Sequence, residues 1–211
     1  MKKFFSMMAA CLLLAGVTAC NDDNEIGYEY TPLTKAERMA QLRNMQGSYE
    51  GTVFYNINDI SNKADSANIT ATLTASDSLM QINNLPIKII EKQLQAKYQG
   101  KLDTTAVMPT LNAHLSMYLP WGYLPSDAEK VHWFTFIPGD KNNSTSFPVS
   151  YDGEQRMMTI TYSLQSNNYA SNGAYTNNRM AVQFIIKSVA IDGAFGATYI
   201  SEIMNARLTK K

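Results

Sequence analysis

The sequence predicts an all-β fold, a single antiparallel β-barrel or a two-sheet β-sandwich of about nine strands with two short helices. Three observations lead there. Apolar and polar residues alternate with period two in one segment after another. The connections between those segments are too short for the parallel crossovers that need a dozen or more residues. Thr and other strand-forming residues are plentiful, while long Leu/Ala/Glu runs are few. Such a sheet buries one face and wets the other. A hydrophobic content of 45% is ordinary for a folded domain.

The chain opens with Lys2 and Lys3, an apolar run from Phe4 to Val17, the small pair Thr18-Ala19, and Cys20. A charged start, a short apolar run and a small-residue cleavage site describe a secretory signal rather than a membrane-spanning helix. Val17-Thr18-Ala19-Cys20 resembles the bacterial lipobox, which implies that Cys20 becomes the first mature residue and carries the lipid. Cys11 leaves with the leader, so Cys20 is then the sole cysteine, and internal disulfides and cysteine-based metal or redox sites are excluded. Several acyl chains on one residue anchor a protein stably. The following Asn-Asp-Asp-Asn-Glu, with Asp22, Asp23 and Glu25, resembles the acidic export signal of surface lipoproteins from Bacteroidetes. The organisation expected is a signal peptide over residues 1–19, a lipidated cysteine and acidic tether over 20–33, and one β-rich domain over 34–211. Without Lys2 and Lys3 the 18 basic residues become 16, against 18 acidic ones. That balance, with no basic run, excludes nucleic acid as a partner.

Thr34-Lys35-Ala36-Glu37 reads as a capping box. A short helix should run from it to about Met45, with Met39 and Leu42 on one side and Arg38, Gln41 and Arg43 largely outside. In the next segment Tyr49, Val53, Tyr55 and Ile57 share a face with Gly51, where a missing side chain permits a bend or close approach. Ala67, Ile69, Ala71, Leu73 and Ala75 then alternate with Asn68, Thr70, Thr72 and Thr74, followed by Met80 and Ile82. After Pro86, residues 87–98 suggest a second helix with Ile87, Ile90 and Leu94 at helical spacing. Residues 100–110 read as a loop and 111–119 as a strand, and PWGYLP (120–125) must turn. Three strands follow, the last two joined at Asp152-Gly153. Residues 165–178 read as a polar loop, and two strands, through Ile191 and through Leu208, finish the chain.

The helix leading into Gly47-Ser48-Tyr49-Glu50-Gly51 resembles the opening of small calycin or lipocalin-like barrels. Lipobox, acidic tether, capped helix, Gly-Ser-Tyr-x-Gly strand and all-β domain together resemble the uncharacterised lipoproteins of gut Bacteroidetes. That resemblance implies exposure at the surface or in the periplasm, and glycan or host contact, with no catalytic residues to carry over. Asp65-Ser66-Ala67, Asp77-Ser78-Leu79 and Asp103-Thr104-Thr105 match the O-glycosylation pattern of that phylum, which marks Ser66, Ser78 and Thr104. Asp-Ser pairs also populate turns for local hydrogen-bonding reasons.

Chemistry offers less. His114 and His132 are the only histidines and show no metal-ligand spacing, so no metal or cofactor is expected. There is no Gly-x-Ser-x-Gly elbow and no phosphate-cradling glycine motif. Asp127, Glu129, Asp152, Glu154, Asp192 and Glu202 are candidates for paired-carboxylate glycoside hydrolysis by residue type alone. The aromatic residues are the better lead. Trp121 and Tyr123 sit in a proline-bracketed turn, and Tyr169 and Tyr175 in the polar loop. Flat rings on stiff loops provide contact area at low entropic cost, although Trp121 folding back to cap the barrel is the competing reading. The expectation is a lipid-anchored, non-catalytic binding domain of the outer membrane, exposed at the cell surface or on the periplasmic face. Its ligand would be a glycan or small amphipathic molecule. The alternatives are a lipoprotein docking on an outer-membrane complex and, behind it, a glycan-active hydrolase.

Overall fold

The computed structural model of the chain describes residues 32–55, 65–91, 94–123, 125–128, 130–140, 142–166 and 169–211. The leader, Cys20, the acids Asp22, Asp23 and Glu25, and nearly all of the tether lie outside them, as do Ile57 and Glu129. Helix α1 (Lys35–Met45) starts with the capping box read from the sequence: Thr34 Oγ1 accepts from the Glu37 amide, and the Glu37 carboxylate accepts from the Thr34 amide. The strands are β1 (Gly47–Tyr55), β2 (Asp65–Thr74), β3 (Leu79–Asn83), β4 (Leu111–Tyr118), β5 (His132–Pro138), β6 (Ser144–Tyr151) and β7 (Glu154–Ser163). They continue with β8 (Gln165–Ser166), β9 (Tyr169–Ala170), β10 (Asn172–Thr176), β11 (Arg179–Ile191) and β12 (Ala194–Lys210). Two single turns, α2 (Lys88–Glu91) and α3 (Pro125–Ala128), complete the set.

Of the two architectures open to the sequence, the chain forms the barrel. The sheet runs β10-β5-β4-β3-β2-β1-β12-β11-β7-β6, and an additional β10–β11 pairing closes its first eight strands into a ring. Every named pairing is antiparallel. β11 serves two neighbours on one edge: residues 179–183 pair with β10, and 185–191 with β7. Within the β7-paired part lies a register shift at Ile186/Ser188. One extra residue switches which side chains face inward, so the buried set passes from Met180, Val182, Phe184 and Ile186 to Val189 and Ile191. The β6–β7 hairpin thereby hangs beside the barrel as a flange.

Eight strands enclose a space that side chains fill, and here they do. Tyr49, Val53 and Tyr55 of β1, Ile69 and Leu73 of β2, Met80 and Ile82 of β3, Phe134 and Phe136 of β5, and Phe184 of β11 are each at most 2% exposed. Gly51 lies among them because its missing Cβ would fall 1.9 Å from the Arg207 carbonyl oxygen. β1 and β12 can approach this closely only at glycine. Both barrel ends are covered. Leu33, Leu42 and Met45 close the α1 end, while Leu85, Ile87, Ile89, Ile90 and Leu94 cover the opposite one.

Four expectations are corrected. Gln41 is buried, because it lies on the α1 face that meets the barrel. The helix expected over 87–98 reduces to α2 and a 3-10 turn at Ala96–Tyr98. There Ile89 is as fully buried as Ile90, so the apolar residues report a plug buried on several sides rather than one helical face. The loop expected over 165–178 holds β8, β9 and β10. The final strand begins earlier, at Ala194, and runs on to Lys210. No helix among the described residues is long and apolar enough to cross a membrane.

Candidate functional site on the outer wall

The turn between β4 and α3 is built by its own sequence. The Tyr123 amide donates to the Pro120 carbonyl at 3.2 Å, and Gly122 takes a φ of +83°. That is the third-position conformation glycine adopts without steric penalty. Trp121 stands at the corner, 60% exposed, and therefore does not fold back over the barrel end. Tyr123 turns inward instead, with its ring 4.7 Å from that of Trp133 at 56°.

Trp133 was not among the residues singled out from sequence. Strand alternation explains its position, and the turn packed over it explains its burial. His132, Phe134 and Phe136 face the barrel interior, where Phe136 meets Phe184 at 5.5 Å, so Trp133 stands on the outer wall. Its register partners are Tyr118 and Ala174, both part-buried against the core together with Tyr123 and Val131. Trp133 is 2% exposed, yet its Nε1 has no hydrogen-bond partner. A buried indole N–H usually finds one.

The other two sequence-selected aromatic residues lie elsewhere. Tyr175 is not displayed on a loop. It faces inward from β10, 6% exposed, stacked on His132 at 5.7 Å and edge-on to Tyr49 at 6.4 Å. Burial raises its phenol pKa above the ordinary value, and its hydroxyl donates to Asn178 Oδ1 at 3.0 Å and the Asn44 carbonyl at 3.4 Å. Tyr169 sits in β9, and its side chain lies outside what is described.

Three of the candidate carboxylates are held in surface ion pairs. Asp152 pairs with Lys101 at 3.3 Å. Glu154 and Asp192 share Arg156, at 2.6 and 2.9 Å. Asp192 also accepts from the Met157 amide at 2.9 Å, and these contacts, the amide foremost, hold its pKa below the usual carboxylate range. Asp127 belongs to α3. Glu202 belongs to β12, with its side chain outside what is described. His114 projects from the exposed face of β4, its Nδ1 3.2 Å from the Asp77 carbonyl. Among the described residues no group of three or more His, Cys, Asp or Glu side chains is placed to hold a metal.

The three Asp-Ser/Thr sites are separated on the surface. Ser66 is exposed on β2, and Ser78 is half-buried in the β2–β3 turn with a φ of +52°. Thr104 is exposed beside a local Asp turn, in which Asp103 Oδ1 accepts from the Thr105 hydroxyl at 2.6 Å and its amide at 3.0 Å. These bonds, the hydroxyl first, lower the Asp103 pKa.

No curated protein matches the chain. A family model does: the domain of unknown function DUF4840 matches residues 44–191, from the last turn of α1 to the end of β11. The match stops short of β12, which joins β1 to β11 and so completes the ring. With well over half of its length matched, this chain belongs to the DUF4840 family of domains of unknown function.

Proposed function

We propose that the chain is a lipid-anchored, non-catalytic binding domain of the outer membrane, exposed at the cell surface, that meets a glycan on its outer wall. The observation that carries this reading is Trp121, 60% exposed on a turn shaped by Pro120 and Gly122. A rigid exposed ring offers apolar area to a sugar face at little entropic loss. The inward side chains named above are almost wholly shielded from solvent, which supports a surface ligand over an enclosed one and makes a small amphipathic molecule the weaker choice. The lipid anchor at Cys20, the export role of Asp22, Asp23 and Glu25, and glycosylation at Ser66, Ser78 and Thr104 belong to the same reading and rest on the sequence patterns alone.

The test is a thermal-shift and calorimetric screen of residues 21–211, without lipid, against maltoheptaose, xylohexaose, mannan, chondroitin sulfate, bile salts and fatty acids. A ligand at 100 times its Kd raises stability by about 2.7 kcal/mol. We expect a saturable shift with a carbohydrate that is lost in Trp121→Ala. A flat response to every carbohydrate removes the reading. The second reading, docking on an outer-membrane protein, draws on the flange. There Met157 is 48% exposed opposite the exposed Pro148. It predicts that a Met157→Glu variant fails to recover from the cell surface the protein that the unaltered domain recovers.

A further inference from the structure

Resting on the glycan reading, we infer that the indole N–H of Trp133 is the specific hydrogen-bond donor of this wall site, and that Tyr123 shields it in the free protein.

The Trp133 N–H is a buried donor without an acceptor. Burying an N–H without an acceptor is expensive, and a phenylalanine at 133 would fill much of the same space without that penalty. Two other buried side chains with an unpartnered polar atom bear on the choice. Gln41 lies on the helix that covers the barrel end, and Tyr55 is fully buried on the inward face of β1. Trp133 differs, because it stands on the outer wall beneath the half-buried ring of Tyr123, two residues from the exposed Trp121. Beside Tyr123 the turn has open space at Gly122, where a Cβ would meet nothing within 4 Å. A rotation of Tyr123 away from Trp133 would leave an exposed ring for the sugar face beside a fixed donor for one sugar oxygen. A ligand oxygen accepting from Trp133 would satisfy the unpartnered group, so the bond appears in the complex without losing one in the free protein. This gives the site a preference for rings that carry an acceptor at one position, which stacking on Trp121 alone would not.

The experiment uses residues 21–211 and the carbohydrate of the panel that shifts the unaltered domain most. Trp133→Phe should leave the melting temperature of the free protein unchanged or raised, and weaken binding about fivefold. The chain has only two tryptophans, so Trp121→Phe leaves Trp133 as the sole reporter while keeping an aromatic ring in the turn. Its emission should shift saturably as the carbohydrate is added. Loss of binding in Trp121→Ala with full affinity in Trp133→Phe overturns this inference and leaves the glycan reading standing. An unmoved Trp133 emission in a variant that still binds overturns it as well, and serves if Trp133→Phe fails to fold. A flat carbohydrate panel overturns both.

Discussion

The two ends of the barrel are closed by different means. At one end, α1 is a regular helix with a complete capping box, and its C-terminal carbonyls are met by the wall. Tyr49 donates to the Met45 carbonyl, and Lys210 and Tyr175 donate to that of Asn44, at 2.9 and 3.4 Å. The donors come from β1, which follows the helix directly, and from the remote β12 and β10, so the wall meets carbonyls that the helix cannot satisfy itself. At the other end the cover is irregular chain. It holds on by apolar insertion, with Leu85, Ile89 and Ile90 fully buried, by a bond within the cover from the Met108 amide to the Leu85 carbonyl, and by two contacts to the flange: the Asp103 amide donates to Ser150, and the Asp152 amide to Lys101. A helix satisfies its own backbone and needs donors only at its tip. Irregular chain must find a partner for each buried amide, within itself as at Met108 or on the flange as at Asp103.

Both covers presuppose a closed ring, so the largest effect should come from opening it. A chain ending at Ile191, where the family match also ends, lacks the strand joining β1 to β11, and we expect no cooperative thermal transition by circular dichroism. Next come the covers themselves. Ile89→Ala and Leu42→Ala each remove a fully enclosed side chain, one per end, and should lower unfolding free energy in urea by about 2–5 kcal/mol. The apolar-only end should suffer more, since α1 keeps its wall hydrogen bonds.

Burial raises the phenol pKa of Tyr49 and Tyr175 at the helix end and of Tyr151 at the other, and pushes Tyr162 to about 12. A tyrosine titrates near 10 when unfolded. Because the folded values are higher, the stabilisation is complete below pH ~10 and declines as pH rises toward ~12. Urea midpoints should therefore fall above pH ~10, and Tyr49→Phe should flatten that fall. In the acid range the sign reverses for Asp192, whose lowered pKa stabilises above its unfolded value near 4. Asp192→Asn should matter at pH 7 and cease to matter once the pH falls below the folded value. The smallest effect belongs to Thr34→Ala, which removes the side-chain cap of α1 for about 1 kcal/mol and should leave the opposite end's amide exchange unchanged.

Local rules carried the reading wherever one segment held the whole signal. The capping box, the alternation through β2, the Gly51 approach and the Asp152-Gly153 turn, with φ of +56° and +77°, all lie within a few neighbouring residues. β10 escaped because its inward positions are Gly173 and Tyr175, a pattern with almost no apolar signature. The glycine is there because a Cβ would lie 2.3 Å from Phe134 Cζ, a neighbour nearly 40 residues away in the chain. Trp133 escaped for a related reason. An aromatic residue between two inward-facing positions reads from sequence as core, and only the turn folding over the outer wall makes it part of a site.

The sequence by itself determined the all-β class, the faces of most strands, the first helix and the turn that presents Trp121, because periodicity, capping and turn chemistry act over a few residues. Tertiary structure alone decided that the sheet closes as β10 meets β11, that the ends are plugged and the interior is full, and that Tyr175 turns inward while Trp133 sits beneath Tyr123. Those outcomes depend on which distant strand lies opposite, and no short stretch of sequence contains its own partner.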